Sequence, residues 1–515
     1  MFIAAASYIK SEGKPRILGV ADTDKAATIV VLNQRGEVVA EAKTLNPGKY
    51  AEHKQQNPKW LVTHTEAQPE HGHILINLET LEMWEEISMP LHLALETPTP
   101  TRPPLFKDGY KEFRRFGEFY GKPLEEIREL LEPIIAVAGE AYAEKAKISG
   151  DEKTLCVNAK GETRIYSLDT LELEEIITWD EIIWALRRAK TPRKMMRMAL
   201  QSDFVGLIDP EEPSLVWYVI RWPLRYPGIP IGIFIFDRRE REIIAGPKNP
   251  LEIIWEAGVD EEYRAAKLIR RERIYDPEYL GLRAADQILE GHIQGTYPGA
   301  AIFTLSVELD EIVPRDKKKR AELGLPSTFL WTLLFRLNED LELESYLCKI
   351  PYKDGYVVPL NNDHGGVWRI CGCENDVVMQ CDFEPLDPYG FNFFYGVVRL
   401  SPDLRILNIF EKKRLEEWFV DEYGLRERLD IELPSGRVER RYRIFASEST
   451  ACLSPDRSEV LVPLELNTSY YAEAFGGERI HRLYLFRVDW GVSRVREIKM
   501  WEGDSEFSVW WTAWV

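Results

Sequence analysis

The chain has 515 residues, of which 45% are hydrophobic and 11% are aromatic, and its formal net charge is −19. This length suits several ordinary domains or one large repeat architecture, and the aromatic content favours strands. The acidic balance argues against a general nucleic-acid binder and against docking on anionic membranes, because both functions need clustered Lys and Arg.

The N-terminal segment 2–9 is short and apolar, and no basic residue precedes it. A secretory signal needs a positive region and a longer apolar run, so we predict a strand here and keep a cleaved signal as the alternative. No run reaches the roughly 18 apolar residues of a membrane helix. These features predict a cytoplasmic protein without a membrane partner, or a virion protein if the source is viral.

Seven segments share one pattern, in which an apolar strand is followed by a polar turn and a second, more polar strand. The clearest is 163–177, TRIYSLDTLELEEII, where Ile165 and Leu168 precede the Asp169-Thr170 turn. The six others begin at Thr28, His73, Gly232, Thr332, Gly396 and Arg482. Two such strands around a turn predict an antiparallel hairpin, so the chain repeats one hairpin seven times.

The spacing of these hairpins indicates a larger repeat. The residues before the first two turns, Leu32 and Leu78, are 46 residues apart, and the later spacings range from 63 to 101 residues. A four-stranded propeller blade takes about 40 to 45 residues, so the longer spacings require insertions. Helix-like segments supply candidates for these insertions near 105–133, 180–200, 251–292 and 404–423.

This periodicity resembles that of β-propeller repeat proteins of the Trp-Asp-repeat and YVTN-like kinds. The Gly-His and Trp-Asp dipeptides that mark Trp-Asp repeats are absent at the expected places in the hairpins, where only Asp489-Trp490 comes near, in reversed order. The resemblance implies an all-β propeller in one domain, 1–515, with seven four-stranded blades and helical insertions between them. Six or eight blades are the alternatives.

A propeller requires apolar inner strands, protected outer edges and a closed ring. Ile134–Ala138 is predicted as an inner strand. Charged residues predicted to protect outer edges are Glu172, Glu174, Glu175, Arg238, Arg239 and Arg241. The last ten residues, 506–515, are too apolar to stay in water, so we predict that they close the ring beside segment 2–8 or dock on a partner.

Three cysteines offer the best candidate metal site. Cys371, Cys373 and Cys381 lie near His364, and thiolates and imidazole are zinc ligands. Only one Cys-x-Cys pair is present, and alternate residues of a strand share a face in any case. The sequence therefore favours structural cysteines over a zinc site or a disulfide. The six cysteines of so long a chain do not indicate a disulfide framework.

Two further polar segments carry weaker candidates. His71 and His73, with His64 nearby, would place imidazoles on one side of a strand, where they could hold a metal. Asp363 and His364 form a loop that could supply an acid/base pair. Both segments also suit a turn or the start of a strand, and this purely structural interpretation is favoured at both places. We therefore predict no catalytic residue and no cofactor.

Two basic runs interrupt the acidic sequence. The first contains Arg187, Arg188, Lys190, Arg193, Lys194 and Arg197, and the second is Lys317-Lys318-Lys319-Arg320. Either run could contact nucleic acid or an acidic partner, although a solvated helix or loop is the favoured interpretation. Nucleic acid is not expected as a partner.

The common catalytic motifs are absent, including the Walker loop, G-x-G-x-x-G, G-x-S-x-G, HExxH and the EF-hand pattern. We therefore predict a non-catalytic scaffold that binds other proteins or copies of itself, or a structural part of a larger assembly. The alternatives are a virion tail or nozzle protein and a propeller hydrolase or lyase that acts on a small molecule or glycan at a central channel. The many Glu, Arg and Lys residues fit a heat-adapted source.

Overall fold

The computed structural model describes secondary structure for 29 separate stretches of the chain. They are 3–8, 26–32, 38–45, 47–53, 59–65, 72–77, 79–80, 83–87, 146–159, 162–200, 202–222, 229–269, 290–309, 317–325, 330–352, 355–359, 369–372, 377–385, 394–411, 418, 421–422, 430–432, 438–440, 443–446, 452–453, 458–467, 481–489, 495–502 and 509–514. Strands dominate these stretches, and helices are few. The predicted β class is therefore confirmed.

Strands are numbered β1 to β33 along the chain. Sheet 1 contains β1 (Ile3–Tyr8), β2 (Ala26–Leu32), β3 (Val38–Leu45) and β33 (Val509–Trp514). Sheet 2 contains β4 (Pro47–His53), β5 (Trp60–Thr65), β6 (Gly72–Asn77) and β7 (Met83–Ile87). Sheet 3 contains β8 (Ala146–Ile148), β9 (Thr154–Ala159), β10 (Glu162–Ser167) and β11 (Leu173–Thr178). Sheet 4 contains β12 (Asp203–Ile208), β13 (Leu215–Trp222), β14 (Ile229–Asp237) and β15 (Glu242–Lys248).

The remaining sheets follow in chain order. Sheet 5 contains β16 (Glu290–Tyr297), β17 (Ala300–Glu308), β18 (Leu330–Asn338) and β19 (Leu343–Leu347). Sheet 6 contains β20 (Ile350–Tyr352), β21 (Gly355–Pro359), β22 (Arg369–Gly372), β23 (Val377–Pro385), β24 (Phe394–Leu400) and β25 (Ile406–Glu411). A ribbon contains β26 (Asp430–Glu432) and β27 (Val438–Arg440). Sheet 7 contains β28 (Arg443–Ala446), β29 (Cys452–Leu453), β30 (Glu459–Asn467), β31 (His481–Asp489) and β32 (Val495–Glu502).

Five α-helices lie between the strands of the described segments. They are α1 (Trp179–Arg188), α2 (Arg193–Ala199), α3 (Pro250–Glu256), α4 (Arg264–Lys267) and α5 (Lys317–Glu322). A 3-10 turn, Val259–Glu261, separates α3 from α4. No helix in the described stretches has both the length and the apolar run that crossing a membrane requires.

All seven predicted hairpins are confirmed. Each forms two neighbouring strands at one end of its sheet: β2–β3, β6–β7, β10–β11, β14–β15, β18–β19, β24–β25 and β31–β32. Four of their turns end on a residue with φ between 56° and 62°, namely Leu171, Arg241, Leu341 and Leu404. None of the four is glycine. Leu341 and Leu404 are buried, so packing offsets the cost of about 1 to 2 kcal/mol for a left-handed residue with a side chain.

Contacts between end strands join the sheets in order. The pairs in contact are β33 with β4, β4 with β8, β8 with β12, β12 with β16, β16 with β22, and β29 with β33. Sheets 1 to 6 therefore contact one another in sequence, and sheet 7 contacts sheet 1. Hydrogen bonds between turns add further links: Lys59 N–H to Glu152 Oε1 (2.8 Å), Gly150 N–H to Pro210 O (2.8 Å) and Gly299 N–H to Asp209 Oδ2 (3.0 Å).

The first and last described strands pair with each other, as predicted. The antiparallel register places Ile3 opposite Trp514 and Ala6 opposite Trp511. Strand β33 is an end strand of sheet 1, in the order β3, β2, β1, β33. The most distant parts of the chain thus complete a single sheet, which removes the exposed backbone edge that β1 would otherwise have.

The predicted insertions agree with the structure only in part. Segment 180–200 holds α1 and α2, and segment 251–292 holds α3 and α4 but overlaps strand β16 from Glu290 onward. The helix predicted from residue 404 is wrong at its start, because Ile406–Glu411 is strand β25. Its apolar residues fit both helical and strand periods, and pairing with β24 decides between them. Segments 105–133 and 134–138 lie outside the described residues.

The largest described core spans sheets 3 to 5 and includes buried aromatic side chains of sheet 4. Asn158 of β9 joins sheets 3 and 4, because its Nδ2 donates to Gly206 O at 2.7 Å and its Oδ1 accepts from Gly206 N–H at 2.9 Å. Gly206 lies in β12, the end strand of sheet 4, so its two backbone groups are satisfied by a side chain of the neighbouring sheet. The Tyr218 hydroxyl extends the network by donating to Thr163 Oγ1 at 2.9 Å.

Candidate interaction surface

The predicted site residues are only partly described. Asp363, His364, Cys373 and His71 lie outside the described residues, so the acid/base and three-cysteine hypotheses stay untested. The backbone register pairs Cys371 with Val378 and Cys381 with Gly396, and it places His73 directly opposite His64. Among the described residues, no three His, Cys, Asp or Glu side chains are grouped to hold a metal ion.

The two cysteines whose side chains are described are buried and form no disulfide. Burial raises the pKa of Cys156 to about 12. Burial also raises the pKa of Cys348 to about 12. Both thiols therefore remain protonated near neutral pH, and they serve as small packing residues of the core.

Helices α1 and α2 form an exposed feature, here called the basic hairpin (residues 179–200). Helix α1 begins with a capping box, in which Glu181 N–H donates to Thr178 Oγ1 at 3.3 Å and Thr178 N–H donates to Glu181 Oε2 at 2.7 Å. Its inner face buries Ile182, Ala185 and Leu186, a spacing of three and four residues that suits one helix face.

The outer face of α1 exposes a large aromatic side chain. Trp184 is 63% exposed, and the Arg187 guanidinium lies 5.5 Å from the centre of its ring. Residues 187 and 188 follow Trp184 by three and four positions, so all three side chains lie on one face. Among the described residues, Trp184 is the most exposed of the large hydrophobic side chains.

All six cations of the first basic run are exposed. Arg187 covers part of Trp184, and Arg188 donates to the backbone C=O of Arg241. The other four form no ion pair with any carboxylate in the described segments: Lys190, Arg193, Lys194 and Arg197. Residues 187–197 of the hairpin therefore present concentrated positive charge, of which four side chains form no ion pair within the described part of the chain.

An ion-pair cluster holds α1 against sheet 4. Arg241, in the turn between β14 and β15, has Nη2 at 2.9 Å from Glu175 Oε1 and Nη1 at 3.7 Å from Glu181 Oε1. Arg238 pairs with the second oxygen of Glu175, and Arg188 adds the hydrogen bond to Arg241 O. Glu181 in the first turn of α1 and Arg188 in its last turn thus both contact Arg241 of sheet 4.

This cluster corrects one prediction. Glu175, Arg238 and Arg241 are predicted to protect separate sheet edges, but they pair across sheets 3 and 4, and the Glu175 side chain is only 15% exposed. Charges separated by 63 residues in sequence cannot be matched from composition alone. The other three predicted edge charges are exposed: Glu172, Glu174 and Arg239.

Thr178→Ala should loosen α1 without affecting the sheets. Loss of the hydroxyl removes half of the capping box, which typically costs about 1 kcal/mol of helix stability. We expect faster amide hydrogen exchange across residues 179–188 and unchanged exchange in β13 and β14. Thr170→Ala, in the exposed β10–β11 turn, is the matched control. Equal protection of α1 in both variants would show that the cap does not hold the helix.

The second basic run is not a uniform surface patch. Lys318 and Lys319 are exposed, but Arg320 is buried, with 1% of its surface exposed. Arginine carries a long apolar stem and can occupy such a position when its head is hydrogen-bonded. The prediction of four solvated charges at 317–320 is therefore wrong for Arg320.

A second polar cluster ties the insertion after sheet 4 to sheet 5. Glu262 accepts from Tyr346 Oη at 2.7 Å and lies 2.7 Å from Lys349 Nζ. The hydrogen bond to Glu262 raises the pKa of Tyr346 to about 12 and raises the pKa of Lys349. Both groups thus hold their protons near neutral pH, and neither is prepared to act as a general base.

Comparisons with known proteins add little to this geometry. No protein-family model matches the chain, and no curated protein sequence matches it. Solved structures that align with it include an oligogalacturonate lyase from Vibrio parahaemolyticus, at 9% identity over 93% of this chain and 82% of that chain, with a TM-score of 0.35. A hypothetical selenium-binding protein from Sulfolobus tokodaii aligns at 9% identity over 99% and 92%, with a TM-score of 0.37.

A protein from Lactobacillus plantarum aligns at 7% identity over 99% of this chain and 98% of that chain, with a TM-score of 0.34. None of these three TM-scores reaches 0.5, so no property of those proteins is transferred to this chain. Its architecture is inferred from the observed strand pairing and the contacts between sheets.

Proposed function

We propose that the seven sheets are the blades of one propeller that spans 1–515. Three observations support this arrangement: seven sheets of at least four strands in the described segments, contacts between successive end strands, and the pairing of β33 with β1. Radial packing buries both faces of each sheet against its neighbours, which a lone four-stranded sheet cannot do. Sheets 6 and 7 carry additional strands.

We propose that this propeller is a non-catalytic scaffold that binds another protein through the basic hairpin. The observation that carries this proposal is the 63% exposure of Trp184 on a helix whose opposite face is buried and whose two ends contact Arg241, through the Glu181 ion pair and the Arg188 hydrogen bond. Trp and Arg are the residues that most often dominate binding energy at protein interfaces. A helix that is already formed and packed on the core before binding avoids the entropy cost of folding upon binding.

Photo-crosslinking in the native source tests this function. A crosslinking amino acid placed at Trp184 should trap one or a few proteins, and the same amino acid at Leu407, which is exposed on sheet 6, should not trap them. Arg193→Glu with Lys194→Glu should reduce the specific crosslinks, because both side chains lie on the same hairpin. Identical crosslinks from positions 184 and 407 would contradict the proposal.

The virion-protein and propeller-enzyme alternatives, and the cytoplasmic location, stay predictions from the sequence. No described cluster of residues favours any of them.

A further inference from the structure

The charge of the basic hairpin selects the chemistry of its partner. Residues 187–197 contain six Lys or Arg and no Asp or Glu, within a chain whose net charge is −19. The rest of the chain therefore carries a formal charge of −25. A short anionic ligand could stay on the hairpin, whereas a long one would extend over a remainder whose net charge is negative.

We infer that the hairpin binds an acidic protein segment that carries one large apolar side chain. This inference rests on the proposed function and specifies the partner of the same surface. Carboxylates on the segment would pair with Lys190, Arg193, Lys194 and Arg197, which have no ion-pair partner among the described residues. The apolar side chain would cover Trp184, which is 63% exposed. Burial of both surfaces makes the contact specific rather than merely electrostatic.

Nucleic acid fits this surface less well. Helix α2 has seven residues and is therefore about 10 Å long, so the charged surface is small. Duplex DNA carries about one phosphate per 1.7 Å of its axis, so even a short duplex would extend over the acidic remainder of the protein.

Fluorescence anisotropy with labelled probes tests the inference on the full chain. The first probe is a decapeptide of nine glutamates around one tryptophan, and the second has alanine in place of that tryptophan. The third is a twelve-nucleotide oligothymidylate. We expect the tryptophan peptide to bind about tenfold more tightly than either other probe, with affinity falling as salt rises.

Two variants locate the binding site. Arg193→Glu with Lys194→Glu should weaken the tryptophan peptide by at least about tenfold, whereas Lys318→Glu with Lys319→Glu, in the other basic run, should not. The Trp184→Ala variant should bind the tryptophan peptide no more tightly than the unchanged protein binds the alanine peptide. Circular dichroism establishes that each variant is folded.

Several outcomes would overturn the inference. They are absence of peptide binding by the folded protein, equal or tighter binding of oligothymidylate, and equal effects of the two double charge reversals. Failure of the proposed function is distinguishable, because it would remove the crosslinks from position 184 while the peptide still bound. If the crosslinks from position 184 persist but the peptide does not bind, the hairpin binds a protein, and that protein is not the acidic segment inferred here.

Discussion

Gly206→Ala should strongly destabilise the protein. A Cβ atom at this position would lie 2.7 Å from Cζ and 2.8 Å from Cδ1 of Tyr218. The Tyr218 ring has little room to move, because it stacks on Phe234 at 5.2 Å between ring centres and its hydroxyl bonds Thr163. Overpacking of a filled core costs about 1 to 3 kcal/mol, and we expect the upper end here, since both strands are buried.

The measurement is urea unfolding followed by circular dichroism. Gly355→Ala is the matched control, because its Cβ would meet no atom within 4 Å and Gly355 does not have a left-handed φ. We expect the control to change the free energy of unfolding by less than about 0.5 kcal/mol. Equal unfolding midpoints for the two variants would show that Gly206 and Tyr218 are not closely packed.

Asp209→Ala should separate sheet 4 from sheet 5. Asp209 is 1% exposed and accepts from the backbone N–H groups of Glu211 (2.9 Å), Glu212 (3.1 Å) and Gly299 (3.0 Å). The bond to Gly299 comes from sheet 5, and Trp217 Nε1 lies 3.5 Å from the same carboxylate. Loss of the carboxylate removes the acceptor of the buried Trp217 Nε1 and of three partly buried backbone N–H groups, and we expect a loss of about 3 kcal/mol in the free energy of unfolding.

Asp237→Ala provides the matched control within the same sheet. Asp237 Oδ1 also accepts from the backbone N–H groups two and three residues later, Arg239 at 2.8 Å and Glu240 at 3.2 Å, but this turn is exposed. The loss there should be about 1 kcal/mol or less, because water can replace the carboxylate. Urea unfolding of both variants isolates the contribution between sheets. Equal losses would show that the Gly299 bond does not stabilise the fold.

The basic hairpin is only partly predictable from sequence. Its positive charge can be read directly from residues 187–197, and the helical period of Ile182, Ala185 and Leu186 predicts a helix with one buried face. The sequence prediction does not include the exposure of Trp184. Its position on the helix face opposite those three residues indicates that Trp184 is exposed. Its residue type favours the opposite prediction, because tryptophan is usually at least partly buried.

The sequence by itself determined the repeated hairpin, because an apolar strand, a polar turn and a second strand interact over fewer than twenty residues. Only the tertiary structure decided what lies between the hairpins. Strand Ala146–Ile148 has three residues and no readable period, and it becomes the first strand of sheet 3 through its pairing with β9. Asn158 and Gly206 meet across 48 residues, and Glu175 and Arg238 across 63. Such contacts depend on how the sheets pack against one another, and local sequence patterns do not determine that packing.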